Sequence, residues 1–570
     1  MKIDLLVKDV HVFNSYFKRF NKGNVVITDG MFYYIGDRCL DTFEADQIVN
    51  GNGKYMIPGL IDIHLHIEST MVTPATFSHG LIKNGVTTII PEPHEMANVF
   101  GITGVKEMIK ASKDCTVDMF YAIPSSVPAT AMETTGGAIE ISDIDELLQS
   151  ENIQCLGEVM NYYEVTSGHD CKTNQILSHI RSNYPDLIIE GHVPKLLDLD
   201  LQKVIYAGVN SDHTHQTVEG MEARIAAGMF LEIQEKSMTR EVIDYLIENQ
   251  VDEHFCFVTD DVMADSFHYR GHLNRLLKRA VDMGMTPEKA IYACTYTPAQ
   301  RMRIYDRGVI SPGKIADFLL VSDIDSFKID AVYKKGKLVY DSAESYVQPV
   351  AGRQFPLAFY RSVILEELEE ADFEIKVEAD GPDCRCRIID VQDGSTFTKE
   401  SFDVLDVVED LVCWEKSPYA LIATFERYGK NSNRAHGLIA GDILKRGAVA
   451  TTYSHDNHNL LVIGHDKRDM MLAANEIIRN QGGICCVENG EILSMLSLPV
   501  GGILSEEPLE IVAEQVEQLT NSLKALGYKH YNVIMSLSTL SLPVSPALKI
   551  TDQGLIDVNK GKIVPLCVQV

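Results

Sequence analysis

Between residues 56 and 304, eight short apolar segments alternate with segments of helical periodicity, and polar residues gather at the C-terminal ends of the apolar ones. Together these two observations predict an α/β fold built on a (β/α)8 TIM-type barrel. Strand and helix units alternating over about 250 residues make a parallel sheet that closes on itself, with functional groups at the strand ends. The predicted strands are "MIPGLIDIHLH", "VTTIIPEP", "VDMFYAIPS", "CLGEVM", "LIIEGH", "VNSDH", "MFLEIQE" and "FCFVTDD". The first is apolar on both faces, as a buried parallel strand must be. Between them, "TPATFSHGLIKNG", "VKEMIKASKD", "DLDLQKVIYAG" and "DSFHYRGHLNRLLKRAVDMG" have helical spacing.

The flanks differ. Residues 1–55 are predicted to be strands, with "NVVITDGMFYYIGD" a hairpin turning at Asp29-Gly30. After the barrel, "GVISPGKIADFLLVS" and "IDAVYKKGKLVYD" supply more strands, so residues 1–55 and 305–345 are expected to form one small β domain around a barrel of residues 56–304. A C-terminal α/β domain is expected over 350–570, with helices near "DKRDMMLAANEIIRNQG" and "PLEIVAEQVEQLTNSLKALG". Residues 350–420, with "CRCRIID" and the single tryptophan Trp414, read as structural.

A chain of 570 residues exceeds one ordinary domain. Its formal charge of -30 argues against nucleic acid or an anionic membrane as partner, since either needs a basic patch. No stretch of about 18 apolar residues offers a membrane span, and the N-terminal "MKIDLLVKDVHVF" lacks the features of a signal peptide. The twelve cysteines are scattered; Cys384/Cys386 and Cys485/Cys486 are the close pairs, and neither has a second pair at zinc-finger spacing. Reduced thiols and a cytoplasmic location are the expectation.

The chemistry begins at "PGLIDIHLHIEST", where His64 and His66, two residues apart on an extended strand, point to the same side. The other strand ends add Glu92, His94 and Glu95 from the second, Glu158 from the fourth, His192 from the fifth, Asp212 and His213 from the sixth, and Asp260 with Asp261 from the eighth. Imidazoles and carboxylates suit Zn, Mn or Fe, and two ions bridged by Glu158 would use the whole set. A metal there would lower the pKa of bound water to about 7, and Asp260 is placed to pass the proton of that hydroxide to a leaving group. His94 would ligate a metal, position a substrate or cap the next helix. His79, His169, His179, His254 and His268, in predicted helices or loops, are read as surface or structural residues.

HxH on the first strand, an acid on the fourth, histidines on the fifth and sixth and an aspartate on the eighth resemble the amidohydrolase superfamily. Within it, "PEPHEMANV", "GEVMNYYEV", "TDDV", "GHLN", "GAVATTYSHDNHNLLVIG" and "SLPVSPALKITDQGLIDV" resemble the adenine deaminase family over nearly the whole chain.

The resemblance implies hydrolytic deamination of adenine to hypoxanthine and ammonia, in purine salvage, by a metal-bridged hydroxide. The two divalent ions would be Mn or Fe, with Zn a further candidate. His64, His66, Glu158, His192 and His213 match the ligands, and a homo-oligomer such as a dimer is implied. Protonation of the purine ring needs an acid, for which Glu68, Glu95 and Asp261 are the candidates. His455, Asp456 and His458 in "SHDNHN" are expected to cap the active site, hold a secondary metal, or form a structural turn. Two positions depart from the family pattern: Glu92 stands where Asp is usual, and Thr214 follows His213 where Glu is usual. The alternatives are therefore a deaminase of another or N6-substituted purine, or a cyclic amidohydrolase. The latter's relatives carry a carboxylated lysine on the fourth strand, absent from "CLGEVMNYYE". A non-catalytic scaffold would be expected to have lost ligands, and none is missing.

Overall fold

Asp29 and Gly30 both take positive φ, 53° and 71°, which is what a two-residue type I′ turn requires, and they join strand β2 (Arg19–Thr28) to β3 (Met31–Gly36). With β1 (Lys2–Asn14), β4 (Glu44–Asn50) and β5 (Tyr55–Pro58), these open the chain as an all-β segment. The computed structural model describes residues 1–38, 40–150, 152–168, 171–348, 352–377 and 381–568.

Parallel strands follow: β6 (Leu60–Leu65), β7 (Val86–Pro91), β8 (Asp118–Met119), β9 (Tyr121–Ile123), β10 (Ile153–Val159), β11 (Ile188–Gly191), β12 (Ser211–Asp212), β13 (Phe230–Ile233) and β14 (Phe255–Phe257). They pair in three arcs, β6-β7-β8, β9-β10-β11 and β12-β13-β14. "VDMFYAIPS", expected as one strand, is divided at Phe120, and its halves β8 and β9 pair with different neighbours. A parallel bridge between Leu65 and Asp260 brings the end of β6 to the segment following β14. Ile61, Ile63, Ile90, Ala122, Cys155, Ile188, Cys256 and Val258, from strands of all three arcs or the residue after β14, pack into one apolar cluster closed by Ala299, Met302 and Ile304.

"DSFHYRGHLNRLLKRAVDMG", expected as one helix, is two, Ala264–Arg270 and Leu273–Asp282. Gly271, at a positive φ of 94° that favours glycine, ends the first. The break buries His272 against Phe77 and Phe267, with Nε2 3.2 Å from the Thr259 hydroxyl.

Strands β15 (Phe318–Asp323), β16 (Lys328–Lys334) and β17 (Lys337–Asp341) complete an eight-stranded sheet in the order β17-β16-β15-β5-β1-β2-β3, with β4 on β1. Lys334 ties this sheet to the parallel arcs: its Nζ donates to Thr87 O at 3.0 Å, Asp118 at 2.8 Å and Asp317 at 2.5 Å.

Further on, strands between Asp383 and Ser497 and the short strand Cys567–Val568 make a ten-stranded mixed sheet. Trp414 is buried in one of its apolar layers and donates Nε1–H to Phe373 O at 3.2 Å. Helix Leu509–Ala525 packs on the sheet strand Glu491–Ser497 on one side and on helix Ala264–Arg270 on the other. This contact holds the sheet beside the C-terminal ends of the parallel strands. Among the described residues no helix is long and apolar enough to cross a membrane.

Lys549, in strand Leu548–Thr551, is fully buried and donates to Thr396 O at 2.8 Å. Burial pushes its pKa down from 10.5 to about 7. Its cost to the folded state is therefore full below about pH 7 and is relieved as pH rises toward the unfolded value, by about 1.4 kcal/mol per pH unit. Denaturant melts of wild type and Lys549→Met between pH 7 and 10 should show the stability difference between the two shrinking as pH rises; parallel curves would disprove the assignment.

Candidate active site

The apolar run Leu60 to Leu65 buries every residue of β6, and its pairing with β7 shifts register between Asp62 and Leu65, where the histidines begin. His64 and His66 lie with ring centroids 5.1 Å apart, and His64 stacks on His213 at 3.7 Å. His66 turns Nδ1 to Glu92 O at 3.1 Å, which leaves Nε2 facing Glu158 Oε1 at 3.6 Å and Asp260 Oδ1 at 3.7 Å.

Glu158, at the end of β10, is the hub. Its Oε2 lies 2.9 Å from His192 Nδ1 and 3.1 Å from His213 Nε2, while Oε1 lies 3.6 Å from His66 Nε2 and 3.8 Å from His94 Nδ1. Burial opposes ionisation of this carboxyl, yet the adjoining His213 and His192 hold it well below the usual range. The neighbouring Gly157 has a reason to be glycine: a Cβ there would sit 2.2 Å from Glu92 Oε2, the atom that accepts the Glu158 backbone N–H at 2.6 Å. Burial, and then the Glu158 charge, push Glu92 up to about 8. Ser125, ending β9's segment, fixes the other side of the same residue by donating to Glu158 O at 2.8 Å.

Asp260 adopts φ 57°, a left-handed backbone uncommon outside glycine and found at functional sites. Its N–H donates to His64 O at 3.1 Å, and its Oδ2 accepts Gln234 Nε2–H at 2.7 Å; Gln234 also donates to His213 O at 3.0 Å. Asp212 serves as a strut. It accepts Val193 N–H at 3.0 Å, Thr214 N–H at 3.1 Å, Thr214 Oγ1–H at 3.0 Å, Gln216 Nε2–H at 2.7 Å and Arg224 Nε–H at 2.6 Å. The Thr214 hydroxyl is thus engaged in holding the His213 segment.

A second cluster abuts the first. The Glu95 carboxylate is bracketed by His455 Nδ1 on one oxygen and His458 Nε2 on the other, with His94 Nε2 3.3 Å away. Burial works against ionisation of Glu95, but His455, His458 and His94 hold it well below the usual range. His455 also lies 3.5 Å from Asp456, and Asn457 donates to Glu133 at 3.2 Å. "SHDNHN" is therefore in contact with the strand-end residues. Glu68, whose Oε1 accepts Met96 N–H at 3.3 Å, is pushed up by burial to about 7. Asp261 accepts the Ser69 hydroxyl and lines a cavity of about 360 Å³ shared with Gln234, Met263, Tyr531, Asn532 and Ile534.

The structure thus brings His64, His66, His94, Glu92, Glu158, His192, His213 and Asp260 to one place, with Glu95, His455, Asp456 and His458 next to it. Among the histidines expected to be structural, His79 stacks on Tyr346 and His179 bonds Asp145, while His169 lies outside the described residues. Gln234 and Ser125 were missed; each closes a strand segment, the seventh and the third, from which the sequence suggested no residue.

The donor set fits a metal centre. His64, His66 and Glu158 offer atoms within 4.8 Å of one another, as do Glu158, His192 and His213. His64 Nε2 and His94 Nδ1 are buried without a hydrogen-bond partner. Buried imidazole nitrogens are rarely left bare unless something else engages them, and imidazole with carboxylate is borderline-hard ligation suited to Zn, Mn or Fe.

Comparison with known proteins gives the family. The amidohydrolase family model matches residues 55–339. The chain belongs to that family, whose members are metal-dependent hydrolases, here acting on C–N bonds. A model of the adenine deaminase C-terminal domain matches residues 395–562. The chain is 62% identical over 569 residues to adenine deaminase 2 of Shouchella clausii, covering 100% of this chain and 99% of that protein. It is 48% identical over 571 residues to an adenine deaminase of Clostridium perfringens (99% and 100% covered) and 43% identical over 569 residues to that of Lactobacillus delbrueckii subsp. bulgaricus (99% and 99%). Within the amidohydrolases, its place is among the adenine deaminases.

Gly157→Ala would force the Glu92 carboxylate off the Glu158 peptide. Loss of such a supporting contact typically costs about 10–100-fold in metal affinity or activity. The variant should bind metal more weakly in a chelator competition, and wild-type affinity would refute the proposed role of this contact.

Proposed function

We propose that the chain catalyses the hydrolysis of adenine to hypoxanthine and ammonia in purine salvage, at a dinuclear centre in the mouth of a (β/α)8 barrel. The observation that carries this reading is Glu158, a buried carboxylate within 3.8 Å of four imidazoles. Near-full-length identity to proteins named adenine deaminase supports the substrate. The barrel is supported by the Leu65–Asp260 bridge and by the single apolar cluster that joins the three arcs. On this reading residues 1–55 with 305–345 form the flanking β domain, residues 56–304 the barrel and residues 350–570 the C-terminal α/β domain.

His64, His66, Glu158, His192 and His213 would hold two divalent ions, Mn or Fe, with Zn an alternative. Bound there, such ions supply an activated water at neutral pH. As its oxygen bonds to C6 and the C6–N6 bond breaks, the water gives up two protons: Asp260 passes one to the departing amine, which leaves as ammonia, and the other restores the acid that protonates N1. Gln234 keeps Asp260 in place for both transfers through its 2.7 Å bond. N1 gains a proton as C6 becomes tetrahedral. Of the three acids considered, Asp261 directly follows Asp260 in the chain and is assigned this role. Glu95 is held ionised by its histidines and anchors the "SHDNHN" segment as a cap over the site, and Glu68 supports the second-strand loop at Met96.

Both departures from the family pattern fit adenine. The longer arm of Glu92 reaches the Glu158 peptide through the space left by Gly157. Thr214 is spent on Asp212, so its hydroxyl gives no reason to prefer an N6-substituted purine. A carboxylate at Glu158 rather than a lysine disfavours a cyclic amidohydrolase. A cytoplasmic homo-oligomer completes the reading, supported by the scattered cysteines and the family resemblance.

The test is ammonia release from adenine by the purified, Mn-reconstituted protein, with N6-methyladenine and a hydantoin in parallel. Turnover of adenine is expected, and turnover of only another substrate would overturn the assignment. Asp260→Asn should keep its metal while kcat falls by about 10²-fold or more; near-normal turnover would remove Asp260 from the proton path.

A further inference from the structure

The sequence showed a Cys-x-Cys in "CRCRIID" with no second ligand pair nearby. The fold supplies a third thiol from far along the chain. Strand Cys567–Val568 pairs antiparallel with Asp383–Val391, and in that register Cys567 lies opposite Cys386. Cys384, two residues earlier on the same strand, points to the same face. The three sulfurs lie 3.3 Å (Cys384–Cys386), 3.2 Å (Cys384–Cys567) and 3.9 Å (Cys386–Cys567) apart. Cys386 is buried, and Cys384 and Cys567 are half-buried at the edge of an apolar layer.

From this juxtaposition we infer that Cys384, Cys386 and Cys567 form a binding site for one soft, thiophilic metal ion of the Zn(II) or Cu(I) class, separate from the deaminase centre. Metal–sulfur bonds of about 2.3 Å place the sulfurs of three thiolates on one ion roughly 4 Å apart, so small side-chain rotations bring this triangle to binding size. Thiolate-only ligation selects these cations over the Mn or Fe favoured by imidazole and carboxylate. Among the described residues the group holds no histidine or carboxylate, so Cu(I) would be three-coordinate and Zn(II) would complete its shell with water. The alternative, a disulfide, would use two of the three thiols and leave the third idle. A bound ion would also pin the two-residue strand Cys567–Val568 to the edge of the ten-stranded sheet.

The experiment titrates the reduced, metal-free full-length protein with Co(II), whose bonds to thiolate give a near-ultraviolet charge-transfer band that imidazole and carboxylate ligands do not. The band should rise to saturation at one equivalent beyond any binding at the deaminase centre. It should be lost in Cys384→Ser and in Cys567→Ser, while both variants, reconstituted with Mn, keep their deaminase activity. Cu(I) added under a colorimetric chelator, in a parallel titration, identifies which cation class is preferred. Should a variant fail to fold, alkylation of wild type with iodoacetamide, mapped by mass spectrometry, decides the matter: metal should protect Cys384 and Cys567 together. Absence of the band, its persistence in Cys567→Ser, or a Cys386–Cys567 disulfide in protein purified without reductant would overturn the inference.

Discussion

Everything at the strand ends is arranged around one buried carboxylate. Glu158 has no exposure to spare, and an ionised carboxylate in such a place is tolerated only when paired and hydrogen-bonded. Imidazoles from the residues after β6, β7, β11 and β12 meet that requirement, and each must arrive from a different strand because no single strand can present them all. The parallel arrangement of strands is what makes this convergence available. It sends every strand's C-terminal end to the same face, and the apolar cluster beneath fixes the strands at the spacing the carboxylate needs.

Support for that carboxylate is built from backbone as much as from side chains. The backbone of Glu158 is held by Glu92 on its N–H and by Ser125 on its carbonyl, and the missing side chain of Gly157 is what lets Glu92 approach. Asp212 performs the same service for His213, gathering five donors, one of them the buried guanidinium of Arg224. Removing one partner of such a buried pair typically costs about 3–5 kcal/mol, so these residues fix geometry and stability together.

The C-terminal sheet takes part in the site. His455 and His458 reach across to the two oxygens of Glu95, so a carboxylate in the first turn of the helix after β7 is paired by imidazoles from a distant part of the chain. These contacts join a separate structural layer to the strand-end residues. The same layer carries the three-cysteine cluster, whose soft donors select a different metal from the imidazole and carboxylate set at the strand ends.

The strand-helix alternation, the hairpin at Asp29-Gly30 and the identity of the residues at the strand ends were legible in the amino-acid sequence, because these depend on local periodicity and turn chemistry. Its motifs also carried the family resemblance. It could not show that Asp212 is a strut while Asp260 faces the histidines, since both are aspartates at strand ends and only the direction of the side chain separates them. The division of β8 from β9 and the break at Gly271 were likewise hidden: pairing partners decide the first, and burial of His272 the second. Contacts far apart in sequence, Glu95 with His455 and His458 or Cys386 with Cys567, exist only once sheets and helices have packed. Packing alone settles them, because distance in space between such residues bears no relation to their separation along the chain.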